Sequence, residues 1–256
     1  MSRADALLVT RGLAPSRTAA RAMIEAGRVF VKVDVGNTVV AKPAIDLPDS
    51  IEFNVVPDAA DRYVSRGGLK LAGALAKSGV DVTGLRCLDV GQSTGGFTDC
   101  LLQAGAGAVV GLDVGHGQLH ARLTTDARIL CIEGINARAL QKSTLDERGI
   151  AANFDLIVVD VSFISLTLVL PQLPALLASG GTMLLLVKPQ FEVGPEHLAK
   201  GGVVRDAALY EMLEVRFRAL CSDLGLNVRG WFDSPIIGGG RGNIAGNREF
   251  FLWIES

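Results

Sequence analysis

The chain has 256 residues, of which 49% are hydrophobic and 20% are charged. This composition excludes an intrinsically disordered chain, and the length allows one large domain or an ordinary domain with a smaller one. The 25 basic and 27 acidic residues leave a net charge of −2, which by itself argues against a nucleic-acid partner.

The charge is unevenly distributed along the chain. Residues 1–32 contain six basic and two acidic side chains, a net charge of +4, which leaves −6 for the remainder. A basic segment of this kind can bind phosphates even when the whole protein is slightly acidic, although it can equally be a solvated helix face. The basic side chains are those of Arg3, Arg11, Arg17, Arg21, Arg28 and Lys32.

Two short helices, a strand and a hairpin are predicted at the start of the chain. The first helix spans Arg3 to Arg11, and the second begins at Pro15-Ser16 and is closed by Gly27. Residues 29–33 form a strand, and a hairpin containing prolines follows and ends near Val56.

This order of elements, with the stretch SRTAARAMIEAGRVFVK at residues 16–32, resembles the S4 RNA-binding module. The resemblance implies that the helix carrying the arginines lies along RNA phosphates. Contacts between arginines and phosphates contribute affinity but do not distinguish one RNA sequence from another. The six basic residues named above and Arg66 are therefore predicted to bind RNA.

A short polar segment, PDAADRY at residues 57–63, separates this module from the rest of the chain. Segments of this composition commonly join domains. We predict an S4-like domain at residues 1–58, a linker at 59–66 and a larger domain at 67–256.

In the larger domain, strands and helices alternate, which predicts an α/β fold with a mostly parallel sheet covered on both faces. Ligands of such sheets bind at the carboxyl edge. A crossover helix is predicted over Leu166–Leu177 despite two prolines. The predicted strands are Arg86–Val90, Ala108–Leu112, Ile129–Ile132, Leu156–Asp160 and Thr182–Val187, and a further helix is predicted at Phe97–Ala104.

Residues 161–187 contain no charged side chain, as a membrane span would. Pro171, Pro174 and the Gly180-Gly181 pair interrupt this stretch, so buried α/β elements explain it better than one continuous helix. We expect no stable membrane association. The scattered cysteines, without a C-x-x-C pair, indicate free thiols and a cytoplasmic protein.

A glycine-rich turn, DVGQSTGGF at residues 89–97, follows the first predicted strand of the sheet. It lacks the Lys-Ser/Thr pair of a P-loop and the spacing of a dinucleotide-binding turn. Asp113 ends the next strand, where a carboxylate can bind both hydroxyls of a ribose. A ribose carboxylate without a phosphate-binding signature favours S-adenosylmethionine, although a purely structural turn is an alternative. The candidate cofactor-binding residues are Asp89, Gly91, Ser93, Thr94, Gly95, Gly96, Phe97, Asp113 and Asp160.

Six motifs extend the resemblance to nearly the whole chain. They are RYVSRGGLKL (62–71), CLDVGQSTGGFTDCLL (87–102), DLIVVDVSFISL (155–166), LLLVKPQFE (185–192), KGGVVRD (200–206) and GNREFFLWI (246–254). With the S4-like start they resemble the TlyA family, whose members are named both haemolysins and ribosomal RNA 2′-O-methyltransferases. The resemblance implies an FtsJ-like, Rossmann-like domain with a seven-stranded sheet whose last strand is antiparallel. It also implies S-adenosylmethionine as cofactor and the ribose of a ribosomal RNA cytidine as target.

The FtsJ class uses a Lys-Asp-Lys-Glu tetrad, and its motifs match Lys70, Asp160, Lys188 and Glu249. Asp160 and Lys188 each end a predicted parallel strand, so both face the carboxyl edge; Glu249 joins them if the last strand is antiparallel. The position of Lys70 follows from the resemblance alone. We predict Lys188 as the base, Asp160 as the group that orients it, and the other two as positioning the ribose. Taken singly, these residues are equally explained as solvated lysines or ordinary ion pairs.

Three smaller features complete the analysis. His116 and His120 have the spacing of metal ligands but lack a third ligand nearby, so we expect no metal. Phe191 and the glycine-rich residues 238–242 are candidates for contacts with a splayed-out nucleotide, and Phe191 is equally a candidate core residue. Two other functions stay open: a membrane-active haemolysin and a non-catalytic RNA-binding protein. Ribosomal RNA or a ribosomal subunit is the expected partner.

Overall fold

The computed structural model describes residues 1–14, 16–33, 36–238 and 246–256, with the side chains of Ala59 and Ala60 left out. The chain divides into two compact units, residues 1–61 and 62–256. The division falls within the predicted linker, and residues 62–66 belong to the second unit. Pro15 and residues 239–242, which the sequence analysis singled out, lie outside the described residues.

The first unit combines two helices with two small antiparallel sheets, one of two strands and one of three. The Ser16 hydroxyl accepts a hydrogen bond from the Ala19 N–H at 3.2 Å and caps the second helix. Ala20, Met23 and Ile24 of that helix are buried against the sheet core. The elements of the first unit are β1 (Ser2–Arg3), α1 (Ala4–Thr10), α2 (Arg17–Glu25), β2 (Val29–Val33), β3 (Gly36–Val39), β4 (Asp46–Leu47) and β5 (Phe53–Val55).

The second unit is built on a seven-stranded sheet. The strands of this unit are β6 (Arg86–Val90), β7 (Ala108–Leu112), β8 (Ile129–Ile132), β9 (Phe154–Val159), β10 (Leu177–Val187), β11 (Leu198–Ala199), β12 (Val203–Val204), β13 (Asn227–Asp233) and β14 (Phe250–Glu255); the helices are α3 (Gly67–Ser78), α4 (Gly96–Gln103), α5 (Lys142–Asp146) and α6 (Ala208–Asp223).

The order of strands in the sheet is β13-β14-β10-β9-β6-β7-β8. Strands β10, β9, β6, β7 and β8 are parallel, and β14 is antiparallel to both of its neighbours. This confirms the predicted fold.

Both faces of this sheet are buried. In β9, Leu156 and Val158 pack into one hydrophobic cluster, whereas Ile157 and Val159 pack into the other. All four side chains have no exposed surface. Alternation of this kind explains why β9 reads as a continuous apolar run rather than as a polar and apolar pattern.

The predicted crossover helix over Leu166–Leu177 is wrong. Three short 3₁₀ turns, Leu166–Leu168, Leu170–Gln172 and Pro174–Leu176, replace it. A proline inside an α-helix removes a hydrogen bond and clashes with the preceding turn. Pro171 and Pro174 accordingly lie in the first two positions of separate short turns. The apolar side chains of the segment are nevertheless buried on the sheet. Among the described residues, no helix has both the length and the apolar character needed to cross a membrane.

Candidate active site

Two adjacent parallel strands bring the first pair of candidate residues together. Asp160 follows β9 and Lys188 follows β10, and the Lys188 Nζ lies 2.5 Å from Asp160 Oδ1. The same Nζ donates a hydrogen bond to the Ser162 hydroxyl at 2.9 Å. The Lys188 residue is only 8% exposed, so these partners, rather than water, contact its ammonium group.

A second ion pair comes from elements that are far apart in sequence. Lys70 lies on α3 and Glu249 directly precedes β14, and the Lys70 Nζ is 2.6 Å from Glu249 Oε2. Because β14 is antiparallel, its first residues lie at the carboxyl edge of the other strands. Lys70 is 9% exposed and Glu249 is 3% exposed, so the interpretation of Lys70 as a solvated lysine is wrong.

Three of these four residues line one cavity of about 170 Å³. Glu249 reaches it through its contact with Lys70. The glycine turn and the start of α3 complete the wall, so the carboxyl edge of the sheet gathers both ion pairs beside the predicted cofactor turn. The lining residues are Ser65, Gly67, Lys70, Gly91, Gln92, Ser93, Thr94, Gly96, Phe97, Asp160, Ser162 and Lys188.

The glycine turn allows two backbone segments to approach closely. Gly91 has φ +88°, and a Cβ on it would lie 2.5 Å from the Asp160 carbonyl oxygen. A Cβ on Gly96 would lie 2.2 Å from the Ser65 hydroxyl oxygen. Gly95, with φ +90°, instead packs against Leu123, where a Cβ would lie 2.4 Å from a methyl carbon. Side chains at these positions would fill the cavity wall or break the packing behind it.

Asp89 lies beneath the turn rather than in the cavity. It has no exposed surface, and its Oδ2 accepts a hydrogen bond from the Thr98 hydroxyl at 2.7 Å. The Gln92 side-chain amide donates to that hydroxyl at 2.9 Å. Burial raises the pKa of Asp89 to about 7. The expectation that Asp89 contacts a cofactor directly is therefore replaced by a supporting position under the turn.

A second, larger cavity of about 800 Å³ adjoins the first and shares Gly91, Ser93, Asp160 and Ser162 with it. Asp113 lies on its wall, and its two carboxylate oxygens accept hydrogen bonds from the backbone N–H groups of Ser93 and Gly115, both at 2.7 Å. Each oxygen keeps a further lone pair for a ligand. The remaining wall is mostly apolar and includes Val114, Ile135, Ala137, Val161, Ile164 and Leu168.

Two residues that the sequence analysis did not select lie at this site. Ser162 is a hydrogen-bond partner of Lys188 and lines both cavities. Phe163 is 92% exposed with φ +62°, and its ring centroid lies 5.2 Å from that of Phe191. The position of Ser162, two residues after the strand-ending Asp160, was the only signal for it. An exposed Phe163 in an uncharged run gave no signal at all.

Most of the predicted RNA-binding side chains have partners within their own unit. Asp5, which is fully buried, forms ion pairs with Arg3 at 2.9 Å and Arg17 at 3.2 Å. The hydrogen bonds and charge of these arginines lower the pKa of Asp5 to about 2. Arg28 pairs with Asp61. The first unit is therefore less cationic at its helices than the count of arginines indicates.

The other basic candidates differ in their surroundings. Arg11 donates to the backbone carbonyls of Asp49 and Ile51. Lys32 lies 3.4 Å from Glu52 on an exposed pair, and the Arg21 side chain is exposed on α2. Arg66, in the second unit, donates to the Ile237 carbonyl at 2.7 Å.

Comparison with known proteins supports this architecture. An FtsJ-like methyltransferase model matches residues 63–255, and an S4 domain model matches residues 2–31. The chain is 42% identical to the Mycobacterium tuberculosis protein named 16S/23S rRNA (cytidine-2'-O)-methyltransferase TlyA, over 100% of this chain and 90% of that protein. It is 39% identical to Hemolysin A of Brachyspira hyodysenteriae, over 98% of this chain and 100% of that protein.

A solved structure from Streptococcus thermophilus is 37% identical with a TM-score of 0.74, and the match covers 100% of this chain and 88% of that one. The matched domains and the full-length relatives agree with the two units and with the motifs that surround the cavity. The chain therefore belongs to the TlyA family, in which an S4 domain precedes an FtsJ-like methyltransferase domain.

Proposed function

We propose that this protein transfers a methyl group from S-adenosylmethionine to the 2′-hydroxyl of a cytidine ribose in ribosomal RNA. The observation that carries the proposal is the Lys188–Asp160 ion pair, 2.5 Å long, in a cavity wall that also contains the glycine turn and Lys70. The names of the TlyA relatives, which specify cytidine-2'-O methylation of rRNA, support the choice of substrate.

The chain's own residues suit this cofactor. Gly91 and Gly96 line the smaller cavity and lie so close to Asp160 and Ser65 that a Cβ on either would collide with them. Asp113 offers carboxylate oxygens in a larger cavity with apolar walls. A volume of about 800 Å³ is within the usual range for a ligand of this size. We assign Asp113 to the ribose of the cofactor, and the apolar wall to its base. When bound, S-adenosylmethionine supplies an electrophilic methyl group.

We assign Lys188 to accept the proton of the attacking hydroxyl, which a lysine can do only in its neutral form. Asp160 and Ser162 together hold the Lys188 Nζ in one direction, which positions the base against the reacting oxygen.

Lys70 and Glu249 are assigned to holding the target ribose. Their ion pair is buried, and Lys70 lines the same cavity as the glycine turn. Correct placement of a nucleophile against its reaction partner supplies roughly 7–11 kcal/mol in well-oriented systems. Positioning is therefore the larger contribution expected from this site, and proton removal is the smaller one.

The first test replaces Lys188 by alanine. We expect the rate of transfer of a radiolabelled methyl group to ribosomal RNA or isolated subunits to fall by about 10²–10⁴-fold, because the base is lost. Binding of S-adenosylmethionine, measured by calorimetry, should remain. Lys77→Ala is the matched control, since Lys77 is an exposed lysine on α3. An unchanged rate for Lys188→Ala would exclude this residue as the base.

The name of one relative, Hemolysin A, favours membrane lysis as a second candidate function. The uncharged residues 161–187 that suggested it comprise the loop after β9, the 3₁₀ turns and β10 in the middle of the sheet. Leakage of a dye from liposomes, measured with the purified protein, distinguishes the two functions. Dose-dependent leakage that persists in Lys188→Ala would support lysis, whereas methylation without leakage would exclude it.

A further inference from the structure

A buried glutamate outside the tetrad connects the two loops that carry Lys188 and Asp160. Glu192 lies four residues after Lys188 and is 9% exposed. Its Oε1 accepts a hydrogen bond from the backbone N–H of Leu166 at 2.7 Å, and its Oε2 accepts one from the Ser165 hydroxyl at 2.5 Å. Leu166 and Ser165 end the loop that begins at Asp160.

Helix α6 supports the same connection. The Arg216 guanidinium donates to the Glu192 carbonyl oxygen at 3.1 Å and to the Thr167 hydroxyl at 3.3 Å. The hydroxyls of Thr167 and Ser165 are 2.7 Å apart. The glutamate and the arginine thus connect the segment after Lys188 to the segment after Asp160.

The two loops are consequently joined at both ends. At the cavity end, Lys188 contacts Asp160 and Ser162. At the far end, Glu192 contacts Ser165 and Leu166. Between these contacts the rings of Phe163 and Phe191 touch. The register of one loop against the other therefore depends on both ends.

Burying a carboxylate costs free energy unless hydrogen bonds replace those to water. Burial raises the pKa of Glu192, and the hydrogen bonds from Ser165 and Leu166 oppose that shift. Both oxygens of the carboxylate accept hydrogen bonds from the neighbouring loop, so the side chain links the two loops.

We infer that Glu192 is a positioning residue for the methyl transfer, acting by holding the loop of Lys188 in register with the loop of Asp160 and Ser162. The inference rests on the proposed function. Glu192 is not among the residues that line the two cavities, so its effect on the reaction rate is exerted through Lys188. A displacement of about 1 Å of a reacting group can cost about 10²-fold in rate.

The test compares Glu192→Ala, Glu192→Gln and the control Glu196→Ala in single-turnover and steady-state methyl transfer. Glu196 lies in the same segment, and its side chain is 68% exposed. For Glu192→Ala we expect kcat to fall by about 10- to 100-fold, with the KM for S-adenosylmethionine and the number of cofactor-binding sites per chain unchanged. Glu196→Ala should behave as wild type.

Glu192→Gln should restore most of kcat. The amide oxygen can accept from the Leu166 N–H, and the amide nitrogen can donate to the Ser165 oxygen, so both connections are regained without the charge. If the glutamine variant is as slow as the alanine variant, positioning by these hydrogen bonds is overturned.

The remaining outcomes separate this inference from the proposed function. A wild-type protein that methylates no RNA contradicts the proposed function itself. An active wild type with an equally active Glu192→Ala overturns the inference, as does a loss of kcat that merely follows a loss of cofactor-binding sites. If Glu192→Ala does not fold, Ser165→Ala decides: it removes one of the two bonds, and because Ser165 also lines the larger cavity, the readout is kcat at saturating S-adenosylmethionine. We expect a lower kcat, whereas an unchanged kcat overturns the inference.

Discussion

At the scale of single residues, the surroundings of a charged group decide its role more than its type does. Lys70 and Lys77 lie on the same helix, yet Lys70 is buried against Glu249 and Lys77 is exposed. Asp89 and Asp113 both belong to the predicted cofactor site, yet Asp89 is enclosed beneath the turn and Asp113 faces a cavity. Only the packing of neighbouring elements distinguishes the members of each pair.

The raised pKa of Asp89 predicts a pH-dependent contribution to stability. The pKa of Asp89 in the folded protein, about 7, exceeds the ordinary carboxyl pKa of about 4. The contribution of Asp89 to the free energy of unfolding is therefore complete below about pH 4 and is lost as the pH rises to about 7. The loss is on the order of 4 kcal/mol. Asp89→Asn cannot ionise, so its free energy of unfolding should fall less than that of wild type between pH 5 and pH 8.

Urea unfolding followed by tryptophan fluorescence measures this difference. Trp231 and Trp253 lie on β13 and β14, so the signal comes from the second unit. The control is Asp223→Asn, because Asp223 is exposed at the end of α6. Parallel pH profiles for wild type and Asp89→Asn would contradict a neutral, buried Asp89.

At the scale of elements, the parallel strands place the site because their carboxyl ends meet at one edge. Strands β6, β9 and β10 deliver the glycine turn, Asp160 and Lys188, and the antiparallel β14 brings Glu249 to the same edge. The sequence predicted the bounds of β6, β7 and β8 correctly. It predicted a helix over Leu166–Leu177 because a parallel sheet needs a crossover there, whereas in the structure the two prolines divide the segment into short 3₁₀ turns.

The turn between β6 and α4 yields a prediction at this scale. In Gly91→Ala, the strain of a positive φ costs about 1–3 kcal/mol, and the added Cβ would meet the Asp160 carbonyl oxygen at 2.5 Å. Affinity for S-adenosylmethionine should therefore fall sharply. Gly225→Ala is the matched control, because Gly225 also has positive φ but has no atom within 4 Å of an added Cβ.

Calorimetric titration with S-adenosylmethionine and thermal unfolding check both variants. Gly225→Ala should lose a similar part of its stability through backbone strain and keep its affinity. Equal affinities for the two variants would show that the close approach of Gly91 to Asp160 is unimportant for the cofactor.

At the scale of the whole molecule, the chain consists of two compact units, each with its own hydrophobic core. The basic excess is confined to residues 1–32, because residues 33–61 carry one basic and six acidic side chains and bring the net charge of the first unit to −1. A net charge of −2 for the whole protein is therefore compatible with a local basic surface for RNA in the first unit, while the candidate active site lies in the second unit.

Removal of the first unit tests whether that unit contributes to RNA binding and the second unit binds the cofactor. We expect a fragment of residues 62–256 to bind S-adenosylmethionine as the full chain does, and to bind ribosomal RNA more weakly. The dependence of log K on log salt concentration should become shallower by roughly 1 or more, because phosphate contacts are lost. Filter binding over a series of salt concentrations measures the slope.

A second variant, Arg21→Ala in the full chain, removes a single exposed basic side chain of α2. It should make the dependence of log K on log salt concentration shallower, but by less than removal of the whole unit does. A fragment whose RNA affinity and salt dependence match those of the full chain would place the RNA-binding surface in the second unit instead.

The sequence by itself determined the order of the five parallel strands, the glycine turn and the choice of four candidate charged residues, because these depend on local periodicity, on glycine and on motifs that resemble a known family. The tertiary structure decided what these residues contact. In the folded protein, Lys70 is buried, Asp89 lies beneath the turn, Arg3 and Arg17 pair with Asp5, and Glu192 bonds to the loop that begins at Asp160. Burial and pairing depend on residues distant in sequence, so they emerge only when the sheet has assembled.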